Sequence, residues 1–259
     1  MRPVRRANKA GPVLRPVGRG DCAGAGRRKS GGTVLIEMLN MDCMEYMAGL
    51  PDKAFDLSCV DPPYGIGVKA SVGGNNKAAV KQYNGFDDSN IPDRVYFEEL
   101  IRVSKNQIIW GGNYFIENLK NTSCFIVWDK ENTGNFADCE LAWTSFNSAV
   151  RKFSFRWNGM IQGNMKNKEE RIHNCQKPVA LYKWLLSRYA KPGDRILDTH
   201  GGSGSICIAC HDLGYDLTWI EKDADYYEAA CKRYKNHAAQ ASLFDQAELT
   251  KEAKEVELF

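Results

Sequence analysis

The chain contains no apolar run approaching 18 residues, which excludes a membrane-spanning helix. It shows no signal peptide with an apolar core. Its nine cysteines are an odd number in a 259-residue chain. That argues against a disulfide framework and for reduced thiols in a cytoplasm. No internal repeat is visible, and no metal site is expected. One string imitates a haem site: Cys207, Cys210 and His211 spell CxxCH. That attachment needs export and an exposed loop, whereas here the string follows a Gly-rich turn where a helix begins. Small apolar helix residues account for it better.

The net charge of +3 is a sum of unlike parts. Residues 1–32 carry nine Lys/Arg and one acid, a net of +8, while the rest carry 26 Lys/Arg and 31 acids, a net of −5. The basic arm holds seven Gly and three Pro with no apolar periodicity. Such a segment buries too little surface to offset its ordering entropy, so 1–32 is expected to be a disordered extension. Residues 33–237 are expected to form one domain, and 238–259 a polar tail or loose helix.

Order begins at Thr33. "TVLIEML" (33–39), "FDLSCV" (55–60), "QIIW" (107–110), "CFIVW" (124–128), "ELAWTSF" (140–146), "RILD" (195–198) and "LTWIE" (217–221) read as strands. Helices are expected after Asp42, from Pro92 to about Ser104, after Pro178, after the turn at 201–204, and over "DADYYEAACKRY". Tyr96, Phe97, Leu100 and Ile101 would share the buried face of the second. Residues 66–91, rich in Gly, Asn and Lys, read as a mobile loop, and 150–172 as an irregular basic segment. Strands alternating with helices indicate an α/β domain with a mainly parallel sheet.

"LDTHGGSGS" (197–205) places a strand, a turn with Gly202 and Gly204, and a helix in succession. Without Cβ atoms the backbone can approach a ligand closely. Glu221 ends the next strand, 17 residues after Gly204, where a carboxylate can accept from ribose hydroxyls. A nucleoside-containing cofactor is therefore expected. A dinucleotide fits less well, because the third Gly of GxGxxG would fall at Cys207. A purely structural Gly turn stays open on this evidence alone.

Asp61, Pro62, Pro63 and Tyr64 follow a strand directly. Two prolines remove two donors and fix φ, leaving the Asp61 carboxylate and a proline carbonyl as acceptors beside a flat aromatic. Such a cluster suits an exocyclic amino group on a planar base. The bland account, a Pro-rich turn with Asp61 as a helix cap, weakens beside a nucleoside turn on the same sheet.

"DPPYG" (61–65), "HNCQKP" (173–178) and "DTHGGSGS" (198–205) resemble the amino-directed (N6-adenine and N4-cytosine) DNA methyltransferases, in the β-group motif order. The likeness covers roughly residues 34–236. It implies a single Rossmann-like, S-adenosylmethionine-dependent methyltransferase domain with a mixed, mainly parallel sheet, in a bacterial or phage-encoded cytoplasmic protein. It implies that Asp61, Pro62, Pro63 and Tyr64 are catalytic. It implies a cofactor site formed by Asp42, Lys177, Pro178, Asp198, His200, Gly202, Ser203, Gly204 and Glu221, with His173 and Gln176 at less constrained positions. Asp at 61 is the form more usual in the adenine enzymes. Thr199 and His200 depart from the family's Pro-Phe, so His200 replaces an apolar contact with an imidazole.

The resemblance further implies direct methyl transfer to a flipped-out adenine in double-stranded DNA, with Tyr64 replacing lost stacking. No Cys follows a Pro, so the nucleophile of the carbon-5 cytosine enzymes is absent. Phosphate contacts are expected from Lys69, Lys77 and Lys81 (with Tyr83) in the loop. Others are expected from Arg151, Lys152, Arg156, Lys166, Lys168 and Arg171, interleaved with Phe153, Phe155 and Trp157, in a short target-recognition segment. A segment this short suggests a small target or contacts shared across a homodimer. Gln240 to Phe244 resembles the peptide with which bacterial DNA-processing proteins dock on the sliding clamp. The alternatives are an N4-cytosine enzyme, an RNA or protein amide methyltransferase (commonly Asn at position 61), and a non-catalytic DNA-binding relative.

Overall fold

The computed structural model describes residues 22–27, 33–67, 91–132, 137–158, 161–166 and 168–256; for 22–27, 158 and 241–256 it describes the backbone only. Among these residues nine strands form one sheet. They are β1 (Cys22–Arg27), β2 (Thr33–Asn40), β3 (Phe55–Val60), β4 (Ser104–Trp110), β5 (Phe125–Asp129), β6 (Cys139–Thr144), β7 (Arg151–Ser154), β10 (Arg195–Asp198) and β11 (Asp216–Glu221). Two short strands, β8 (Trp157–Asn158) and β9 (Ile161–Gln162), make a separate hairpin ladder. The sheet order is β1-β2-β11-β10-β3-β4-β6-β5-β7. The five strands β2, β11, β10, β3 and β4 are parallel. β1 and β6 run antiparallel to their neighbours β2 and β4.

Side chains alternate across these strands with period two, and the two sets enter two different cores. On β4, Ile108 and Trp110 face one core and Ile109 the other; on β11, Trp219 and Ile220 divide the same way. Helices α3 (Val179–Tyr189), α4 (Ser205–Leu213) and α5 (Ala224–Val256) cover the first face. Helices α1 (Cys43–Ala48) and α2 (Arg94–Val103) cover the second. The result is a three-layer α/β sandwich, as expected from the alternation of strands and helices.

The chain leaves β3 for β4 on one side, and leaves β10 for β11 on the other. β3 and β10 are adjacent, so the strand order reverses between them. A crevice opens at the carboxyl ends of the strands at such a reversal. Asp61 follows β3 and Asp198 ends β10, so both expected site motifs stand at this crevice.

Three expectations are corrected. Residues 22–27, placed in a disordered arm, form the edge strand β1, paired with β2 from Cys22↔Met38 to Arg27↔Thr33. "CAGAGR" has small side chains, and its order comes from the backbone ladder, which hydropathy does not register. The boundary at 237/238 falls inside α5, one helix of 33 residues or about 50 Å. Gln240 to Phe244 lies within that helix, the helical form of the two expected for 238–259. Finally, α2 begins at Arg94 and not at Pro92, with Asp93 as its cap, its carboxylate accepting from the Tyr96 amide, and Val103 replaces Ile101 on the buried face.

Candidate active site

Asp61 sits at the end of β3 with both carboxylate oxygens occupied. Tyr64 donates its hydroxyl to Oδ1 at 2.6 Å, and Lys177 donates to Oδ2 at 2.5 Å. Lys177 Nζ also lies 3.1 Å from Glu140 Oε2 and 5.2 Å above the Trp110 ring. Glu140 in turn pairs through Oε1 with Lys130. Four charges of alternating sign thus run from Lys130 through Glu140 and Lys177 to Asp61. Burial alone would raise both carboxylates. The Lys177 and Lys130 ammoniums outweigh it for Glu140, which is held down at about 2. For Asp61 burial wins over Lys177, and its carboxyl titrates above the usual carboxylate range. Burial would lower Lys177, but its two carboxylate partners reverse that and raise it.

Gly111 fixes the aromatic. It has φ of +70°, and a Cβ there would fall 2.2 Å from Tyr64 Cε1. The Tyr64 ring stacks on Tyr114, with centroids 5.0 Å apart and planes 16° apart, and meets Phe115 edge-on. Pro62 is buried beside it.

The turn after β10 is held by backbone and by Glu221. Gly202 and Gly204 both adopt positive φ, at +52° and +67°. Gly201 lies so close to Trp219 that a Cβ would fall 1.9 Å from Cε2. Glu221 accepts from the Gly202 amide at 2.7 Å and the Asp223 amide at 2.8 Å. Arg233 donates to the Ser203 carbonyl and the Ser205 hydroxyl and pairs with Glu169. Asp42 caps α1 and pairs with Lys222 at 2.9 Å, on the strand end next to Glu221. Burial pushes Asp198 up to about 8, its bond from the His200 amide notwithstanding. Burial also lowers His173 and His200 to about 4, so both imidazoles are neutral at pH 7. His200 stands edge-on to the Tyr96 ring, with Nδ1 within 3.3 Å of its hydroxyl and 3.1 Å of Thr199 Oγ1.

The structure therefore brings Asp42, Asp198, His200, Gly202, Ser203, Gly204 and Glu221 to one corner of the crevice, and Asp61, Pro62, Pro63 and Tyr64 to the other. Lys177 was expected at the cofactor; its ammonium is instead on Asp61 and Glu140. Pro178 is buried at the start of α3. Glu140, Lys130, Gly111 and Tyr114 escaped sequence reasoning. The signal for Glu140 was an acid in register with Ala142 and Thr144 on the inward side of a strand.

The basic segment also needs correction. β7 runs parallel to β5 and begins at Arg151, on the sheet edge opposite the crevice, in a cleft of about 380 Å³ shared with Arg188 and Lys191. Lys152 pairs with Asp129. Arg156 follows the other end of β7, and it, Lys166 and Lys168 are exposed. The interleaved aromatics pack against the protein's own core. Phe153 packs on Phe155 and Trp184, and buried Trp157 donates to the Gln176 carbonyl. Lys69, Lys77, Lys81 and Tyr83 lie outside the described residues. Among the described residues, one set of potential metal ligands, His211, Asp212 and His237, lies on the α4–α5 face, where Lys183 also pairs with Asp212. Cys207 and Cys210 are buried in α4. No helix among the described residues is long and apolar enough to cross a membrane.

A nucleoside-type turn and a carboxylate-proline-aromatic cluster, facing each other across the switch point of a mixed sheet, define a Rossmann-like group-transfer domain. Residues 97–232 match the family model described as DNA methylase, and the chain belongs to this family of N6/N4 amino methyltransferases, whose members use S-adenosylmethionine. It is 26% identical over 246 residues to the Type II methyltransferase M.HinfI of Haemophilus influenzae, covering 77% of this chain and 68% of that protein. It is 22% identical over 232 residues to the Type II methyltransferase M2.MboI of Moraxella bovis, covering 74% and 85%. The solved PvuII DNA methyltransferase, described as cytosine-N4-specific, shares the fold with a TM-score of 0.50 at 14% identity, covering 77% of this chain and 86% of that one.

Proposed function

We propose that this chain methylates the N6 amino group of an adenine flipped out of double-stranded DNA, with S-adenosylmethionine as donor. The observation that carries the reading is the placement of Asp61 and Pro62 beside Tyr64, across the crevice from the Gly202–Gly204 turn. The residues present fit the donor. The turn has glycines where the cofactor's backbone contacts are needed, and Glu221 ends the adjacent strand in position for ribose hydroxyls. Asp42 and His200 flank it.

When bound, S-adenosylmethionine supplies a methyl group on a sulfonium. The adenine amino nitrogen is a weak nucleophile because its lone pair is delocalised into the ring. Asp61 and the Pro62 carbonyl, accepting its two hydrogens, favour a pyramidal nitrogen with its lone pair aimed at the methyl. The N–C bond forms as the C–S bond breaks, and the sulfur leaves with the electron pair. The methylated nitrogen then sheds one proton, for which the Asp61 carboxylate is the nearest base. Tyr64 offers a ring face to the base. Exposed Arg156, Lys166 and Lys168 are the candidates for phosphate contacts.

The test is incubation with labelled S-adenosylmethionine and unmethylated DNA, followed by digestion to nucleosides. N6-methyladenine supports the reading. N4-methylcytosine would move the target base while keeping the mechanism, and no labelled nucleoside would overturn it.

A further inference from the structure

The proposed chemistry leaves one conflict at Asp61. Its carboxylate is to accept an amino hydrogen, yet Tyr64 and Lys177 already occupy both of its oxygens. Lys177 has another place to go. Glu140 Oε2 is buried and already lies 3.1 Å from Nζ, so the ammonium sits between two carboxylates. Its twin Oε1 is held by Lys130, which fixes the carboxylate in position.

We propose that Glu140 is a positioning residue that takes the Lys177 ammonium from Asp61 when the target amino group arrives, freeing Oδ2 to accept an amino hydrogen. The inference rests on the proposed methyl transfer. The displacement is small, because the two acceptors flank the same ammonium. After the shift Lys177 remains beside Asp61, and its charge continues to offset part of the burial of that carboxylate. The groups facing Asp61 are Lys177 from the segment before α3, Glu140 on β6, Tyr64 beside it and Asp198 at the end of β10. Lys177 is the cation among them. Without Glu140 the ammonium would belong wholly to Asp61, and a neutral amino group would compete with it poorly.

The arrangement predicts different signatures for the two residues. Glu140→Gln preserves shape and removes the competing charge. It should lower kcat roughly tenfold to a hundredfold, with S-adenosylmethionine affinity unchanged and no upward move of the acid limb of the pH profile. Lys177→Met removes the counter-charge from buried Asp61. Its acid limb should move towards neutral pH, with activity partly restored at higher pH. Lys177→Arg, which keeps the charge, guards against a folding defect in the Met variant and should leave the acid limb in place. If Glu140 acts only through Lys177, adding Glu140→Gln to Lys177→Met should cost nothing further. Wild-type turnover by Glu140→Gln, or fully additive losses in the double variant, would overturn the inference while leaving the proposed function intact. A wild-type chain that methylates neither base overturns both.

Discussion

The corner after β3 and the corner after β10 share one sheet edge but are built from different material. At the β10 corner the shape is backbone: glycines with positive φ, amide hydrogens on Glu221, and a glycine pressed against Trp219. At the β3 corner the shape is side-chain charge: two acids and two lysines in alternation, with a tyrosine hydroxyl closing the end. A backbone cradle has one geometry and holds a constant part of a ligand. A chain of ion pairs has several partner arrangements and can exchange one acceptor for another. Under the proposed function, the first corner suits the invariant ligand, the cofactor, and the second the incoming group.

The largest separation of the two corners is expected from Asp61→Ala. Methyl transfer should fall by at least about a thousandfold, by the scale of losing one positioned transition-state contact, while calorimetry should find cofactor affinity little changed. Substantial methylation by this variant would sink the division. The two packed glycines come next. Gly201→Ala drives a methyl into the buried Trp219 indole and should cost about 1–3 kcal/mol of stability together with cofactor binding. Gly111→Ala drives a methyl into the Tyr64 ring at a backbone φ of +70° and should lower turnover while sparing cofactor binding. If both variants lose the same function, the corners are not separable.

Acid should reach the two corners differently. Asp61 must be ionised to accept, and its carboxyl titrates above the ordinary range, so methylation should fall at a higher pH than an exposed Asp would give. His173 and His200 are depressed to about 4 from about 6.5. Between those values the unfolded chain binds more protons than the folded one. Stability is therefore full above pH 6.5 and declines as pH falls towards 4, by up to about 3 kcal/mol for each imidazole. Thermal melts across pH 4–7 measure this directly, and a flat profile would show that the two rings are solvated. The smallest effect is expected from His200→Phe. Tyr96 keeps its hydroxyl contact with Thr199 at 2.8 Å, so cofactor affinity should change by no more than about threefold, or about 0.6 kcal/mol. A loss of binding would give the imidazole a role beyond filling space.

What could be read in the sequence was local. β3, β10 and β11 are short apolar runs, and the motifs after them sit where strand-turn chemistry places them. The role of Lys177 was not local. Its neighbour in sequence is Pro178, but its partners are Asp61, 116 residues away, and Glu140 on β6, and only sheet order brings them together. The Phe153, Phe155 and Trp157 alternation was real, yet it faced α3, because alternation does not say which side holds the core. β1 went unread because a ladder of Ala and Gly leaves no hydrophobic signature. The +8 of residues 1–32 is shared between that strand and residues outside the description.

Each corner also has its own buried indole. Trp219 lies against Gly201, and Trp110 lies under the Lys177 ammonium. An indole's emission responds to nearby charge, so two of the six tryptophans are placed to report one on each corner. Subtracting the spectrum of a Trp219→Phe variant isolates the arrival of the cofactor. Subtracting that of Trp110→Phe tests for the proposed shift of the Lys177 ammonium, without any label on the DNA.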